Sequence, residues 1–231
     1  MIRTPRSAAR LHVDERGVPG GGVAWRGVFE RKGRTTGDVT FVFEDARPEP
    51  RHEPFLLAFL LPAMRTGTRI ECTAPIDRGL LENLDNYQGA WCRWLGRRFR
   101  RVVVEAERKD EAPTRGSALT CFSGGVDSCY TILRMGPGSA AAPAISAGLL
   151  VHGFDIPLLD ARAFRGARAR ARRMLDAHGI DLRTLGTDLR RLESPYDLRW
   201  DRELHGAALA AAMWCYAGEF PVGLIPSTYP D

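Results

Sequence analysis

The stretch CFSGGVDSCY, residues 121–130, has the composition of a loop that binds phosphate groups. Gly124 and Gly125 lack a Cβ, so the backbone there can turn sharply and approach an anion closely. If a helix starts directly after them, its first amides point outward without partners and carry a partial positive charge. Ser123 and Ser128 add hydroxyl donors on either side. Together these groups would hold a pyrophosphate at several points.

Asp127 lies inside the same loop, where a carboxylate would repel a bare phosphate. Its presence predicts a bound Mg²⁺ ion, since one or two carboxylates and phosphate oxygens commonly hold Mg²⁺ together. The phosphate loop of kinases and GTPases has a lysine that this loop lacks. The only lysines of the chain are Lys32 and Lys109. The sequence therefore excludes a Walker-type kinase or GTPase.

The elements around the loop predict a parallel α/β sheet. An apolar strand at 118–122 leads into the loop, and a helix at 126–135 follows it. Further strands alternate with further helices: strands at 147–152, 182–185 and 222–225, helices at 159–178 and 201–218. Such alternation indicates crossover connections and helices on both faces of the sheet. Because ligands of these sheets bind beyond the carboxyl ends of the strands, the loop lies where a ligand is expected.

The helix predicted at 159–178 is amphipathic. Its arginines, Arg165, Arg168 and Arg172 among them, are expected to face water, and Gly179 is placed to end it. Its expected apolar face consists of Phe164, Ala167, Ala171, Met174 and Leu175.

The first half of the chain predicts a smaller α+β domain. Alternating or apolar segments predict strands at 23–30, 38–44, 68–72 and 101–105, and helices at 55–64 and 77–99. Residues 1–10 are expected to be a frayed end. A polar run at 107–117 is the expected boundary, which divides the chain into domains 1–115 and 116–231.

Composition places the chain among ordinary globular proteins, with 44% hydrophobic and 26% charged residues in 231. Neither a secretory segment nor an apolar run long enough for a bilayer is present. The net charge of +5 is carried by residues 1–115, which contain 21 basic and 16 acidic residues. Since nearly all basic residues are arginine, the bias is typical of a GC-rich genome, and nucleic-acid binding is not favoured. The sequence leaves nucleic-acid binding and homo-oligomer formation open.

Five cysteines are scattered along the chain without a CxxC pair. This spacing argues against a zinc ribbon and against a disulfide scaffold. Reduced thiols and a cytoplasmic location are the expectation. Cys129 lies in the first turn of the loop helix, where the helix dipole favours a reactive thiolate. Cys121 lies in a buried strand, where we expect it to pack as a small hydrophobic residue.

The motif SGGVDS, between a strand and a helix, resembles the PP-loop (SGGxDS) of the ATP pyrophosphatases, the adenine nucleotide alpha hydrolase-like family. The resemblance covers about residues 116–231 and implies a Rossmann-like, HUP-type sheet. It implies that ATP is cleaved between its α and β phosphates with Mg²⁺, so that a substrate oxygen is adenylated and AMP and pyrophosphate form. It assigns the loop residues to the nucleotide, with Asp127 and Ser128 as the catalytic pair and Asp127 as the metal ligand: Ser123, Gly124, Gly125, Val126, Asp127 and Ser128.

The family's layout also implies that adenine and ribose lie along the end of the second strand, at Val151, Gly153 and Phe154. Gly153 could equally serve a strand-end turn and His152 the core. Asp155 suits a helix cap as well as a ligand.

Residues after the fourth strand, Ser227 and Thr228, are expected beside the loop. Some relatives carry Gly-His-Asn and a later Asp-Asp there, whereas this chain has PSTYPD, which leaves the second metal ligand open. His205 and Arg202 begin the preceding helix, where structural roles are favoured. Because PP-loop sheets usually have five strands, a continuation past Asp231 is expected.

Three functions follow from the resemblance. The favoured one is nitrogen transfer, in which an amide or related C–N bond forms on an unidentified small-molecule acceptor. Sulfur transfer to a tRNA or small metabolite, with Cys129 as the thiol, is the second. A nucleotide-binding sensor that holds ATP without cleaving it is the third.

Overall fold

The computed structural model describes residues 8–110, 116–140 and 143–226 of the chain. In these ranges the protein is a mixed α/β fold built on one nine-stranded sheet. Five of the neighbouring strand pairs in this sheet are parallel and three are antiparallel. The predicted α/β class, with a large and mostly parallel sheet, is confirmed.

The strands and helices are numbered in chain order. The strands are β1 (Ala8–Gly17), β2 (Val23–Arg31), β3 (Arg34–Phe43), β4 (Arg69–Cys72), β5 (Ile76–Asp77), β6 (Val104–Glu105), β7 (Arg108–Lys109), β8 (Ala118–Cys121), β9 (Ile145–His152), β10 (Asp181–Thr187) and β11 (Val222–Leu224). The helices are α1 (Glu53–Thr66), α2 (Arg78–Leu95), α3 (Val126–Met135), α4 (Ala161–Asp176), α5 (Glu193–Tyr196) and α6 (His205–Trp214). A 3₁₀ turn at Leu189–Leu192 precedes α5, and a π-helical turn at Trp200–Leu204 precedes α6.

The strands of the second half lie in the order β11-β8-β9-β10 and are all parallel. The chain moves from β8 to β9 to β10 in one direction, and β11 then returns to the other side of β8. The winding direction therefore reverses at β8. Neighbouring residues of β8 and β9 enter two different apolar cores: Ala118 and Leu150 pack with α3 and α4, whereas Leu119 and Leu149 pack with α6. Helices thus cover both faces of this part of the sheet.

The strands of the first half extend the same sheet. β3 pairs antiparallel with β10 through Phe41–Thr187 and Val42–Gly186, and β2 and β1 follow as an antiparallel meander. β4 and β6 complete the other edge in parallel with β1. The predicted division into domains 1–115 and 116–231 stays a prediction.

The larger apolar core joins both halves of the chain. α1 is buried from Glu53 to Met64, which agrees with its almost continuous apolar sequence. Phe29 stacks on Phe59 of α1 at 5.0 Å between ring centroids, and Phe43 of β3 meets Tyr216 after α6 at 5.8 Å. Offset and edge-on aromatic pairs of this kind add to the stabilisation that burial itself supplies.

Local capping explains the bounds of α4. The carboxylate of Asp160 accepts a hydrogen bond from the amide of Ala163 at 2.9 Å, so Asp160 is the N-cap. At the other end Gly179 is left-handed, and its amide donates to Asp176 while the amide of Ile180 donates to Leu175. This pair of hydrogen bonds is a Schellman motif, and the prediction that Gly179 ends the helix is confirmed.

Other sequence predictions met different outcomes. The helix at 126–135 is confirmed to the residue, and the remaining predicted helices and strands are present with shifted ends. The strand β1 was missed: its residues 8–10 belong to the end that was expected to be frayed, and residues 1–7 of that end lie outside the described residues. Met174 is 38% exposed and does not join the buried face of α4. Within the described ranges, no helix combines the length and apolarity that a membrane crossing requires.

Candidate functional site

A cleft of about 220 Å³ opens at the carboxyl edge of the parallel strands, where the winding reverses. The ends of β8 and β9, the loop before α3, the first residue of α6 and the residues after β11 form its walls. Predicted site residues that line it are Ser123, Gly125, Asp127, Ser128, Val151 and Phe154. The structure therefore brings together most of the predicted loop and two of the three residues predicted for adenine and ribose.

The backbone of the glycine turn presents an open surface. Gly124 has a φ of +78°, in the left-handed region that favours glycine, and no atom lies within 4 Å of where its Cβ would be. Gly125 is extended and is the N-cap of α3, yet no side chain caps the helix there. The amide of Gly125 donates to the exposed Ser123 Oγ at 3.3 Å. The uncapped first turn of α3 thus borders the cleft.

Ser128 and Val126 differ from Ser123 in their exposure. Ser128 is buried, and its hydroxyl donates to the carbonyl oxygen of Gly125 at 2.9 Å, which holds the turn against the helix. The side chain of Val126 is 84% exposed and does not line the cleft. Because the amide of Val126 precedes the first intrahelical hydrogen bond, from Cys129 to Gly125, its contribution to a ligand site is its backbone.

Gly153 has a structural role at the end of β9. Its φ is +106°, and a Cβ there would overlap the carbonyl oxygen of Thr187. Gly153 does not line the cleft, whereas its neighbours Val151 and Phe154 do. His152 stacks on Phe164 with 4.2 Å between ring centroids and has Nε2 2.9 Å from the carbonyl oxygen of Pro157. Both residues therefore have the structural roles that the sequence left open.

Asp155 lines the cleft and does not cap a helix. Its alternative role, the N-cap of α4, is taken by Asp160 five residues later. Asp155 is exposed and enters the cleft on the β9 side, while Asp127 enters it from α3. Two carboxylates therefore border the same opening.

His205 is a cleft residue for which the sequence favoured a structural role. It is the first residue of α6 and packs against Trp200, with 5.0 Å between ring centroids. Trp200 in turn packs against Phe154 at 5.0 Å, so this indole connects the two cleft residues. π-Helical turns such as the one before His205 occur often at functional sites. Arg202 is exposed, lies beside Asp201 and does not line the cleft.

Cys121 is buried in β8 and Cys129 lies in the first turn of α3, as the sequence predicted. Cys121 lines the cleft, but burial raises the pKa of its thiol to about 12. Cys129 lines a separate groove between α3 and α4. Across the described ranges, no group of three or more His, Cys, Asp or Glu side chains could hold a metal ion.

Ile225 and Pro226, the last described residues, line the cleft. Ser227 and Thr228 lie outside the described residues, so their predicted position beside the loop stays a prediction. Comparison of the chain with protein-family models, curated proteins and solved structures gave no match in any of the three.

Proposed function

We propose that the protein is an ATP-dependent enzyme that forms AMP and pyrophosphate. It adenylates a substrate oxygen with release of pyrophosphate, and a nitrogen nucleophile then attacks the carbon that bears this oxygen and displaces AMP. One observation carries the proposal: the SGGVDS turn joins β8 to α3 at the edge where the winding reverses, with Gly124 left-handed and facing open space. The order β11-β8-β9-β10 also resembles a Rossmann-like, HUP-type sheet, and that finer assignment belongs to the same proposal.

In this proposal the turn binds the pyrophosphate. The backbone at Gly124, the exposed hydroxyl of Ser123 and the uncapped amides at the start of α3 surround the anion. Ser128 keeps the turn in shape through its hydrogen bond to Gly125. Since donors that are fixed before the reaction stabilise developing charge without reorganisation, such a turn favours departure of pyrophosphate.

The carboxylates of the cleft suit Mg²⁺. Asp127 and Asp155 border one opening, and Mg²⁺ commonly uses one or two carboxylates, with waters and phosphate oxygens as its remaining ligands. A cage made wholly from protein side chains is not needed for this ion. Bound there, Mg²⁺ would neutralise charge on the phosphates, and Asp127 would hold it.

The remaining walls suit the nucleoside and the acceptor. Val151 and Phe154 supply an apolar surface beside the end of β9, where the base would lie. His205 faces the cleft from the start of α6 and is placed to contact the phosphates or the acceptor. Its ring is held by Trp200, so its orientation depends on the π-helical turn.

The thiols support nitrogen transfer over sulfur transfer. Cys129 lines the groove between α3 and α4, and Cys121, which does line the cleft, is kept protonated by its burial. Sulfur transfer through a cysteine of this chain needs a thiolate next to the nucleotide, because the thiolate and not the thiol is the nucleophile. Neither thiol meets that requirement.

The test is a product analysis with the full chain. The protein is incubated with ATP, Mg²⁺ and fractions of cell-extract metabolites, and nucleotides are separated by chromatography. We expect AMP and pyrophosphate in the fraction that contains the acceptor. Asp127→Asn should abolish the formation of AMP and pyrophosphate. Asp181→Asn, at the amino end of β10 and away from the cleft, should not. Formation of ADP and phosphate would contradict the proposal, and bound but uncleaved ATP in every fraction would favour a sensor.

A further inference from the structure

The helix layer of α3 and α4 exposes an unusual number of large apolar side chains. Six of them lie on these two helices or directly before α4: Val126, Tyr130, Leu133, Leu158, Leu159 and Met174. Between the helices runs a groove of about 590 Å³. Ile132 and Leu133 form its α3 wall, and Met174 and Ala177 form its α4 wall. Of the six, Leu133 and Met174 line this groove, and exposed apolar side chains at a groove mark an interaction surface.

Arg170 and Arg173 line the α4 side of this groove. α4 carries six arginines, and only Arg168 has carboxylate partners, Glu44 and Asp45. The other five are exposed and form no ion pair with any described residue: Arg162, Arg165, Arg170, Arg172 and Arg173. Residues 126–135 and 158–178 hold seven arginines and three aspartates, a charge of 7 − 3 = +4 in a protein whose net charge is +5. These two segments therefore carry an excess of positive charge, and of the arginines on α4 only Arg168 is neutralised by carboxylates of the described residues.

The residues that line the groove recur at helical spacing on both α3 and α4. Cys129, Ile132 and Leu133 follow one stripe of α3, and Arg170, Arg173 and Met174 follow one stripe of α4. Both stripes have the three- and four-residue steps of a helix face, so the groove has an apolar floor and a basic rim. α3 is ten residues long, about 15 Å, which matches an occupant of about three helical turns.

We propose that this groove docks an acidic amphipathic helix of a partner protein. Apolar side chains of that helix enter the groove at helical spacing, and its flanking carboxylates meet Arg170 and Arg173. The surface adjoins the glycine turn, because Val126 directly follows Gly125, yet the groove and the cleft are separate openings. A docked partner therefore leaves the cleft open.

Other occupants fit this surface less well. A second copy bound through the same face would place the arginines of α4 against each other across a two-fold axis, where like charges repel. RNA would satisfy the arginines but would leave Leu133 and Met174 in water. A flat anionic bilayer would not fill a groove. The acidic helix alone uses both the charge and the apolar floor.

The test uses the full chain and a labelled synthetic helix of about 18 residues, with leucines at helical spacing and flanking glutamates. Its comparator has lysines in place of the glutamates. We expect the glutamate helix to bind, with affinity that falls as salt rises, and the lysine helix not to bind. Leu133→Asp, at a side chain that is 64% exposed, and Arg170→Glu/Arg173→Glu should each weaken binding by about tenfold or more.

Arg162→Glu, on α4 but outside the groove, is the matched control and should change affinity by less than about threefold. Equal binding of both helices, or no effect of Leu133→Asp, would overturn the proposal. An RNA oligonucleotide or anionic vesicles that bind and are released by the same variants would reassign the surface to those partners. A dimer in sedimentation that Leu133→Asp dissociates would reassign it to a second copy. None of these readouts involves ATP, so the proposed function is tested separately.

Discussion

Arg98 and Glu203 form a two-pronged ion pair, with Nε 2.8 Å from Oε1 and Nη2 3.1 Å from Oε2. Glu203 is buried and also accepts a hydrogen bond from the amide of Arg199 at 2.9 Å. Arg98 follows α2, whereas Glu203 belongs to the π-helical turn that ends just before His205. The pair therefore ties the first half of the chain to the turn that positions a cleft residue.

Loss of this pair should destabilise the protein. Arg98→Ala leaves the Glu203 carboxylate buried without its cation, which costs about 3–5 kcal/mol for a fully buried pair. Since the Arg98 side chain is 31% exposed, we expect about 2–3 kcal/mol in the free energy of unfolding, measured by urea titration. Arg97→Ala, at an exposed neighbour, should change it by less than about 0.5 kcal/mol. Equal effects of the two variants would mean that the pair contributes nothing specific.

Two glycines of the site region should lose stability to different extents when they are replaced by alanine. Gly124→Ala meets no atom, so we expect backbone strain of about 1–2 kcal/mol, a folded protein and weak ATP binding. Gly153→Ala adds overlap with the Thr187 carbonyl to its strain and should cost about 3 kcal/mol or more. Calorimetric melting and ATP titration separate the two effects. Unimpaired ATP binding by a folded Gly124→Ala protein would count against the proposed pyrophosphate site.

His205 should matter for the reaction and Arg202 should not. His205→Gln keeps a polar side chain at the start of α6 but removes the imidazole from the cleft, so we expect pyrophosphate release to fall by about tenfold or more. Arg202→Gln, on the same turn and outside the cleft, is the matched control. If both variants retain the parental rate with an unchanged circular dichroism spectrum, His205 has only a structural role.

The sequence predicted the loop well because its signals are local. A strand, two glycines and an apolar helix stripe specify the bounds of α3 without reference to the rest of the chain. β1 was missed although Ala9, Leu11 and Val13 alternate with polar residues, because residues 1–10 were expected to be frayed. The carbonyl of Leu11 accepts a hydrogen bond from Thr73, 62 positions away. The pairing of β1 with the adjacent β2 agrees with that alternation, whereas its parallel pairing with the distant β4 is not predicted by any local pattern.

The roles of Asp155 and His205 show the same limit. Both Asp155 and Asp160 are suitable helix caps by composition. In the structure Asp160 caps α4, and the backbone at Gly153 packs closely against the Thr187 carbonyl oxygen. His205 enters the cleft because a π-helical turn precedes α6, and residues 200–204 carry no signal for such a turn. These placements follow from packing between distant segments, which propensity and periodicity do not describe.

Cys129 should react with an alkylating reagent before the buried Cys121 and Cys215. Burial raises the pKa of the Cys121 thiol to about 12 and that of Cys215 well above its usual range, so both stay protonated near neutral pH. Cys129 is only half-buried. We expect iodoacetamide at about pH 8 to label Cys129 well before Cys121 and Cys215, as read by peptide mass spectrometry. Early labelling of Cys121 would show that its strand opens or that its thiol is ionised.

His52 should make stability depend on pH. Burial, more than the nearby positive charges of Lys109 and His12, lowers its pKa below 6.5, and Glu53 opposes this shift. The unfolded chain therefore binds this proton at higher pH than the folded chain, so stability falls as pH drops below about 6.5. When the pH is lowered from about 7.5 to about 5.5, the melting temperature of His52→Gln should fall less than that of the parent protein. Equal losses in the two proteins would exclude His52 as a source of the acid sensitivity.

The contact between Phe43 and Tyr216 has a consequence for synthesis. These residues are separated by 216 − 43 = 173 positions, and β3 reaches its aromatic partner only when nearly the whole described chain has been translated. At about 5–20 residues per second this interval lasts about 9–35 s. α1 can cover Phe29 and Phe41 soon after these residues are made, whereas Phe43 stays without its Tyr216 contact throughout this interval.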